Sequence, residues 1–584
     1  MLRKAVCGIL LILLFIVMFL SAINIKPAKA EWTGTVYIRA DGSIDPPDAP
    51  ITTLDNITYT LTDNITSSGD GIVVERNNII IDGNGYTLYC TGGYDSKGIY
   101  LNGRSNVTIK NINIQNFTDG IRLDYSSNNT INGSNIANNW HGIRFEYSLN
   151  NSIFRNSISH NGGGIRLQDS SNNIIYGNSI TENTWWYGIG LYSSDYNSIG
   201  ENNIVKNAQY GILIDSSHNN IIRGNSIANN GYAGTLLEDS SNNNICRNRI
   251  TNNSDGMRLW GSVNNCIYEN NLTENMHDGI SFGVSKSNAN SNNNNIYMNN
   301  IVANNKHGVD LFSCSNNHIS GNNIRNNGES GVHFAYAATS NIIYENNIIG
   351  NKYGISQWYS SNKFYHNNFI NNTQQVYSYA MNIWDDGYPS GGNYWSDYTG
   401  VDLFSGPYQN ETGSDGIGDT PYIIDENNID RYPLMGSFNS FNTSLGCSVD
   451  VISNSTIEDL RYFESNGTIA MHVSNMTTNQ TIGFCRLTIS HEVISPPYTV
   501  KVNGTEVEYE IIYENYTEGI SIIYFTYEHS RLEIMVMPEF PSATILTLLM
   551  LTSLIVTILL KKKRKTKAQQ IPKFPRTAQY ADES

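Results

Sequence analysis

With 584 residues, a net charge of −16 and only 15% charged side chains, the chain is short of cations. That excludes nucleic-acid binding, which draws its affinity from clustered Lys and Arg, and the low charge also excludes a coiled coil or a charged disordered tail. Hydrophobic residues at 39% are ample for a core. Seven cysteines, counting Cys7 near the start, are scattered, so neither a metal knuckle nor a dense disulfide framework is indicated. Cys447 and Cys485 form the one candidate staple.

Residues 1–30 read as a secretory signal: Arg3 and Lys4, an apolar run from Ala5 to Ile23, and Ala28-Lys29-Ala30 as a small-x-small cleavage site. Residues 31–80 form an N-terminal cap, with strand-like Val36-Tyr37-Ile38, Tyr59-Thr60-Leu61 and Ile72-Val73-Val74. Over residues 81–375 a glycine followed by an aliphatic or related residue returns every 22 to 24 residues, from Gly98-Ile99 through Gly142-Ile143 and Gly211-Ile212 to Gly354-Ile355. One interval, Gly279 to Gly308, is longer, and Ser285 to Ser291 is its loop insertion. Such a period with β-type patterning predicts an all-β solenoid, a right-handed parallel β-helix of about twelve turns.

Within a turn, Ile121 and Leu123 point one way from a short strand, while Ile131 and Ile136 mark two further faces. Asparagine at the corners tolerates the left-handed bend and can bond its copy one rung away, Asn129, Asn151 and Asn173 being the clearest column. Residues 376–436 are an aromatic, Gly-rich closing cap, and 440–536 form a small β-sandwich stalk. Ser542 to Leu560 is free of charge and spans roughly 28 Å as a helix, enough for one membrane crossing. Lys561-Lys562-Lys563-Arg564-Lys565 opens a basic tail, 561–584, that belongs inside the cell. Glycosylation sequons crowd before that span, at Asn442, Asn454, Asn466, Asn475, Asn479, Asn503 and Asn515.

Used as a ruler, the repeat places Arg122, Arg144 and Arg166 in register on one outward face, about 4.8 Å apart. Asp124, Glu146 and Gln168 lie two positions on, with Tyr125, Tyr147, Trp140 and His141 at the edges. Part of this is a salt-bridge ladder; as a site it suits an acidic chain-like glycan, arginine forking onto carboxylate and aromatic faces stacking on sugar rings. Asp124 and Glu146 are the carboxylate pair if the ligand is cleaved, although arginines on both sides suit binding better than proton donation. Asp385 and Asp386, adjacent in the chain, point to opposite sides of an extended segment. No cofactor is expected. Asp415 and Asp419 resemble the end of a calcium loop whose earlier ligand positions hold Glu411 and Gly413.

The chain resembles NosD-like right-handed β-helix proteins, the carbohydrate-binding and sugar-hydrolysis repeat type carried by archaeal surface proteins. The most specific residues are Gly392-Asn393-Tyr394-Trp395-Ser396-Asp397-Tyr398, Asp415 to Tyr422 and Tyr432 to Met435. Pro538-Glu539-Phe540-Pro541 resembles an archaeal sortase signal, although Thr566 to Ser584 extends past the point where such signals end. The family name implies copper, which needs converging His, Met or Cys ligands; the histidines fall at different places in their turns, and copper is not expected. The expected function is a membrane-anchored surface protein that binds envelope or extracellular polysaccharide or builds the surface layer. The alternatives are a polysaccharide lyase or glycosidase on the same fold, and a periplasmic copper carrier.

Overall fold

The computed structural model describes residues 32–476, 480–539 and 542–568. The leader 1–30, the tail beyond Ala568 and the sequon at Asn479 lie outside the described residues.

Contacts divide the chain into two units, one running to Gly400 and including Thr420–Leu434, the other comprising Val401–Asp419 and the chain from Met435 onward. The segment 376–436 is thus shared between them.

The first unit is a right-handed parallel β-helix of about 15 turns. Its three faces hold 16, 15 and 15 strands, and strand n pairs with strand n+3 along each. The expected twelve turns fall short because the cap residues are turns themselves: Val36–Ile38 pairs in parallel with Ile72–Val74, which pairs with Ile99 to Leu101. At the exit Gln374–Ser378 adds another strand, with Gln375 where the glycine would stand.

The repeated glycine is required by close approach. A Cβ on Gly142 would lie 2.7 Å from the carbonyl oxygen of Gly164 and 2.7 Å from Cγ2 of Ile158. Two faces meet at that corner, and only a hydrogen fits. Inward aliphatics such as Ile121, Leu123, Ile131 and Ile136 are fully buried, each contributing about 1.5–3 kcal/mol before chain entropy is subtracted.

Three columns of buried asparagine hold the turns in register. Asn151 Oδ1 accepts from the backbone N–H of Asn129 (2.9 Å) and from its Nδ2 (3.0 Å). Asn156 to Asn178 and Asn161 to Asn183 repeat the pattern at the other corners. A fourth column is serine, Ser148 amide to Ser170 Oγ at 3.0 Å. The left-handed conformation belongs to the residue before the ladder position: Asn128 at φ 58°, Gly133 at 60°, Asn138 at 58°. The two tasks expected of one asparagine are therefore divided between neighbours. Across the 29-residue interval the ladder continues unbroken, Asn265 to Asn294 at 2.9 and 3.0 Å.

The helix ends on aromatic rings. Trp384 stacks on Phe364 (4.3 Å), Trp395 on Phe369 (4.4 Å), and Tyr422 on Trp395 (4.3 Å). Asp430 beneath them accepts Trp395 Nε1 and the Asn393 amide, both at 2.8 Å. Asp385 pairs with Arg431 and Asp386 with Lys363, so the adjacent aspartates do face apart.

In the second unit two five-stranded antiparallel sheets enclose one core of residues such as Val451, Leu487 and Ile523 from one sheet and Met471, Val500 and Ile534 from the other. This is a β-sandwich. The expected Cys447 to Cys485 staple does not form: Cys485 is buried against Ser453 and Tyr527, while Cys447 Sγ lies 3.2 Å from Glu492. A 27-residue helix, Ser542–Ala568, follows. Among the described residues no helix is long and apolar enough to cross a membrane; the side chains of the first residues of the expected 542–560 span lie outside that description.

Replacing Gly211 by Ala would bring Cβ within 2.5 Å of both Gly234 O and Ile227 Cγ2, and should lower stability by about 1–3 kcal/mol in denaturant unfolding. Asn225→Ala strands the Asn202 amide, now bonded at 3.0 Å, and should cost about as much. Loss of less than about half a kcal/mol in either variant would contradict the close-packed corner and ladder.

Candidate functional site

On the first face each turn presents three outward positions: the residue before the glycine, and those two and four after it. The arginine ladder occupies the second position, with Arg122, Arg144 and Arg166 in direct register and Asp124, Glu146 and Gln168 beside them. Arg122 meets Asp124 and Glu146 at 3.0 Å, Asp119 at 3.4 Å and Asp95 at 3.9 Å. Burial works against its charge, but Asp124, Asp119 and Glu146 together raise its pKa. Tyr100 donates to Asp124 at 3.0 Å, and burial with that carboxylate pushes the phenol up to about 12. Arg144 pairs with Glu146. Arg166 has no carboxylate partner among the described residues: it donates to Gln168 at 3.2 Å and lies 4.6 Å over the Tyr192 ring. The ladder is charge-compensated at Arg122 and open at Arg166.

Aromatic rings border the open end. Trp140, Trp185 and Trp186 meet edge to face at 4.4 to 5.9 Å, with Trp140 and Trp185 about half exposed. His141 is buried, bonds Asp119 at 3.0 Å and stacks on Trp186. Tyr125 and Tyr147 stack at 5.0 Å on adjacent left-handed corners. Trp185 and Trp186, which the sequence reading passed over, sit in a 24-residue turn whose extra length was the available signal.

A second cluster lies further along the same face. Arg258, Ser281, Asp310, His333 and Ser356 succeed one another at the second outward position. Asp255, Asp278, His307 and Ser330 occupy the first, joined where Asp278 N donates to Asp255 and His307 N to Asp278, both at 3.0 Å. Burial, with Asp255 nearby, holds Asp278 up at about 6; burial, with Asp278 and Asp255, holds Asp310 at about 7. Burial and the neighbouring His333 and Lys306 lower His307 to about 3. His307 and His333 occupy different outward positions, as the spacing of the histidines implies, yet their rings stack at 4.5 Å across adjacent turns. His333 Nδ1 lies 2.7 Å from Ser356 Oγ. Among the described residues, Nδ1 of buried His307 and Oδ1 of Asp310 find no hydrogen-bond partner.

The calcium candidates Asp415 and Asp419 each accept backbone amides. Asp415 Oδ1 accepts the Ile417 amide (2.9 Å), and Asp419 accepts the amides of Leu403 and Phe404 at 3.0 to 3.1 Å. Of the sequons, Asn442, Asn466, Asn475 and Asn503 are exposed and Asn454 and Asn515 partly so.

A family model described as periplasmic copper-binding protein (NosD) matches residues 63–259 and 233–400, together more than half of the chain. The chain belongs to that family. No curated protein matches. Among solved structures, the periplasmic alginate epimerase is similar at 15% identity, over 60% of this chain and 82% of that one, with a TM-score of 0.30. The A-module of a mannuronan C-5 epimerase from Azotobacter vinelandii aligns at 16% identity over 63% and 92% (TM-score 0.33). A DFA-IIIase from Arthrobacter chlorophenolicus aligns at 8% over 43% and 70% (TM-score 0.31). At these identities the likeness is one of fold.

Copper, which the NosD description implies, requires donors converging on one point. The His307 and His333 planes are only 13° apart, so their lone pairs run side by side instead of meeting. Among the described residues no group of three His, Cys, Asp or Glu side chains could hold a metal. These residues do not fit the ion.

Asp278 and Asp310 carry a pH signature. Their folded values lie above the ordinary carboxyl value near 4, so between about pH 4 and 7 the folded protein binds the extra protons and its stability falls as pH rises. The melting temperature should drop from about pH 5 to pH 8, and Asp310→Asn should flatten that drop. An unchanged slope in the variant would count against the buried acid.

Proposed function

We propose that this NosD-family protein is a cell-surface β-helix that binds acidic polysaccharide along its first face. The observation that supports this most is the open end of the arginine ladder, where Arg166 lies over Tyr192 and has no carboxylate partner among the described residues, in a stretch of turns that also carries the half-exposed Trp140 and Trp185. Guanidinium forks bind carboxylate or sulfate, and indole faces stack on sugar rings. A polymer suits this surface, because side chains repeat at the rung spacing of about 4.8 Å. Asp124 and Glu146, each engaged by arginine, belong to this binding surface as its compensating charges.

The same reading makes Ser542–Ala568 the anchor, with the β-helix outside and the basic tail inside. Leu549, Met550, Leu551, Leu554, Ile555, Val556, Ile558, Leu559 and Leu560 are each more than half exposed around the whole circumference, a surface that lipid would cover. The leader, the sequons and a role in the surface layer accord with this placement.

Affinity electrophoresis through gels containing polygalacturonate should show retention that falls about tenfold in Arg166→Ala and in Trp185→Ala, roughly 1.4 kcal/mol each. Added salt should weaken the arginine share. Equal retention by neutral dextran would sink the acidic-glycan reading. The full chain should co-sediment with phospholipid vesicles and a chain ending before Ser542 should not; co-sedimentation of both would remove the anchor.

A further inference from the structure

We propose that the chain cuts itself between Asn454 and Ser455, the Ser455 hydroxyl attacking the carbonyl carbon of the residue before it. The cut lies in the β-sandwich and owes nothing to the glycan reading; only its consequence for anchoring rests on Ser542–Ala568 being held in a membrane.

The groups around this peptide are those of an activated serine. Ser455 Oγ lies 3.0 Å from His529 Nε2, and His529 Nδ1 lies 2.6 Å from Asn475 Oδ1. Asn475 is the cross-strand partner of Ser455, and its Nδ2 donates to the Gln480 carbonyl at 3.4 Å, which turns Oδ1 to the ring. With Nδ1–H donating to that oxygen, Nε2 is left to accept from the serine, the tautomer a general base needs. Burial lowers the His529 pKa, so the ring is neutral at neutral pH. The Tyr527 hydroxyl, whose pKa burial raises, stands 2.6 Å from Ser455 Oγ and keeps its proton to donate there.

The carbonyl under attack is prepared as well. Gln480 Nε2 donates to the Asn454 carbonyl oxygen at 2.7 Å, where negative charge develops as the serine adds. The peptide is held in place: Asn454 Oδ1 accepts the Phe484 amide at 3.0 Å, its Nδ2 donates to Ile482 O at 3.2 Å, and a Cβ on Gly436 would lie 2.1 Å from the Ser453 carbonyl carbon. Ser455 is fully buried, so a free substrate does not reach its hydroxyl. The carbonyl carbon of Asn454 does lie within reach, because the two atoms close a five-membered ring.

His529 Nε2 takes the Ser455 Oγ proton as the bond from Oγ to the Asn454 carbonyl carbon forms, and Gln480 holds the resulting oxyanion. The imidazolium proton passes to the Ser455 nitrogen, the C–N bond breaks, and an ester joins Asn454 to Ser455 Oγ beside a free amine. Water then attacks the ester carbon, the C–O bond breaks, and an Asn454 carboxylate and a Ser455 hydroxyl result. One water is consumed. Asn454 and His529 are only partly buried, which admits it. The cut severs a link between the two sheets: Ser448–Ser453 stays paired with Ile482–Ser490, and Ser455–Phe463 with Thr468–Asn475. The piece bearing the β-helix therefore parts from the piece bearing Ser542–Ala568 only when the sandwich opens.

The test runs purified full-length protein on denaturing gels, with and without prior hydroxylamine near neutral pH to trap the ester, and reads fragment ends by sequencing. Expected are two fragments, one beginning at Ser455, that co-elute under native conditions. Ser455→Ala should abolish the cut, Ser455→Cys should keep it, and His529→Ala and Gln480→Ala should each slow it about a hundredfold, with melting temperature kept. A wild-type chain that stays intact in hydroxylamine overturns the inference, and so does a cut at this bond that survives Ser455→Ala. Should Ser455→Ala fail to fold, Ser455→Cys decides: hydroxylamine must open its thioester faster than the wild-type ester, and equal rates are fatal. An intact chain that still binds polygalacturonate and vesicles overturns self-cleavage alone and leaves the function proposed above standing.

Discussion

Everything in the β-helix depends on one amide geometry. A side-chain oxygen in one turn receives both the backbone N–H and the side-chain N–H of the turn before, so each corner satisfies its buried polar groups only when the next turn is in place. The corner glycines express the same constraint as sterics, because turns joined this closely leave no room for Cβ. A backbone held to fixed register on all three faces then offers its outward positions as straight lanes, and the chemistry of the first face follows from which side chains fall in the same lane.

Two stretches of that face solve the problem of neighbouring like charges differently. Around Arg122 the solution is compensation, with three carboxylates from two adjacent turns gathered on one guanidinium. Around Asp278 and Asp310 burial raises both carboxyls, so they hold their protons to higher pH than solvent would allow. The first stretch completes its charge balance internally around Arg122 and leaves Arg166 at its edge without a carboxylate partner among the described residues. The second keeps unspent hydrogen-bonding capacity in its interior.

The architecture was legible because the glycine repeat is imposed by contact geometry, and the arginine ladder was legible because three identical residues share one offset from that glycine. What stayed hidden had no such uniformity. The first turns lack the 22-residue spacing, Gly71 standing 27 residues before Gly98, and the last replaces glycine with Gln375. Asp278, His307 and Asp310 differ in type from turn to turn and straddle the irregular interval, and the His307 to His333 stack joins two different lanes. Tabulating every turn at the first and second outward offsets would have gathered these residues. Their burial and missing partners are properties of packing that no spacing encodes.

The long turn between Gly279 and Gly308 shows what the ladder tolerates. Its extra residues leave the fold between Val284 and Asn290, which close on each other as an antiparallel bridge, and Lys286 reaches back to Glu238 at 3.0 Å, while Asn265 and Asn294 bond as if nothing had been added. The scaffold measures position in space and is indifferent to contour length between rungs. New loops can thus be acquired at a corner one at a time, each reshaping the walls of the outer surface without retuning the core, which is a route by which one solenoid can acquire different ligands while remaining the same solenoid.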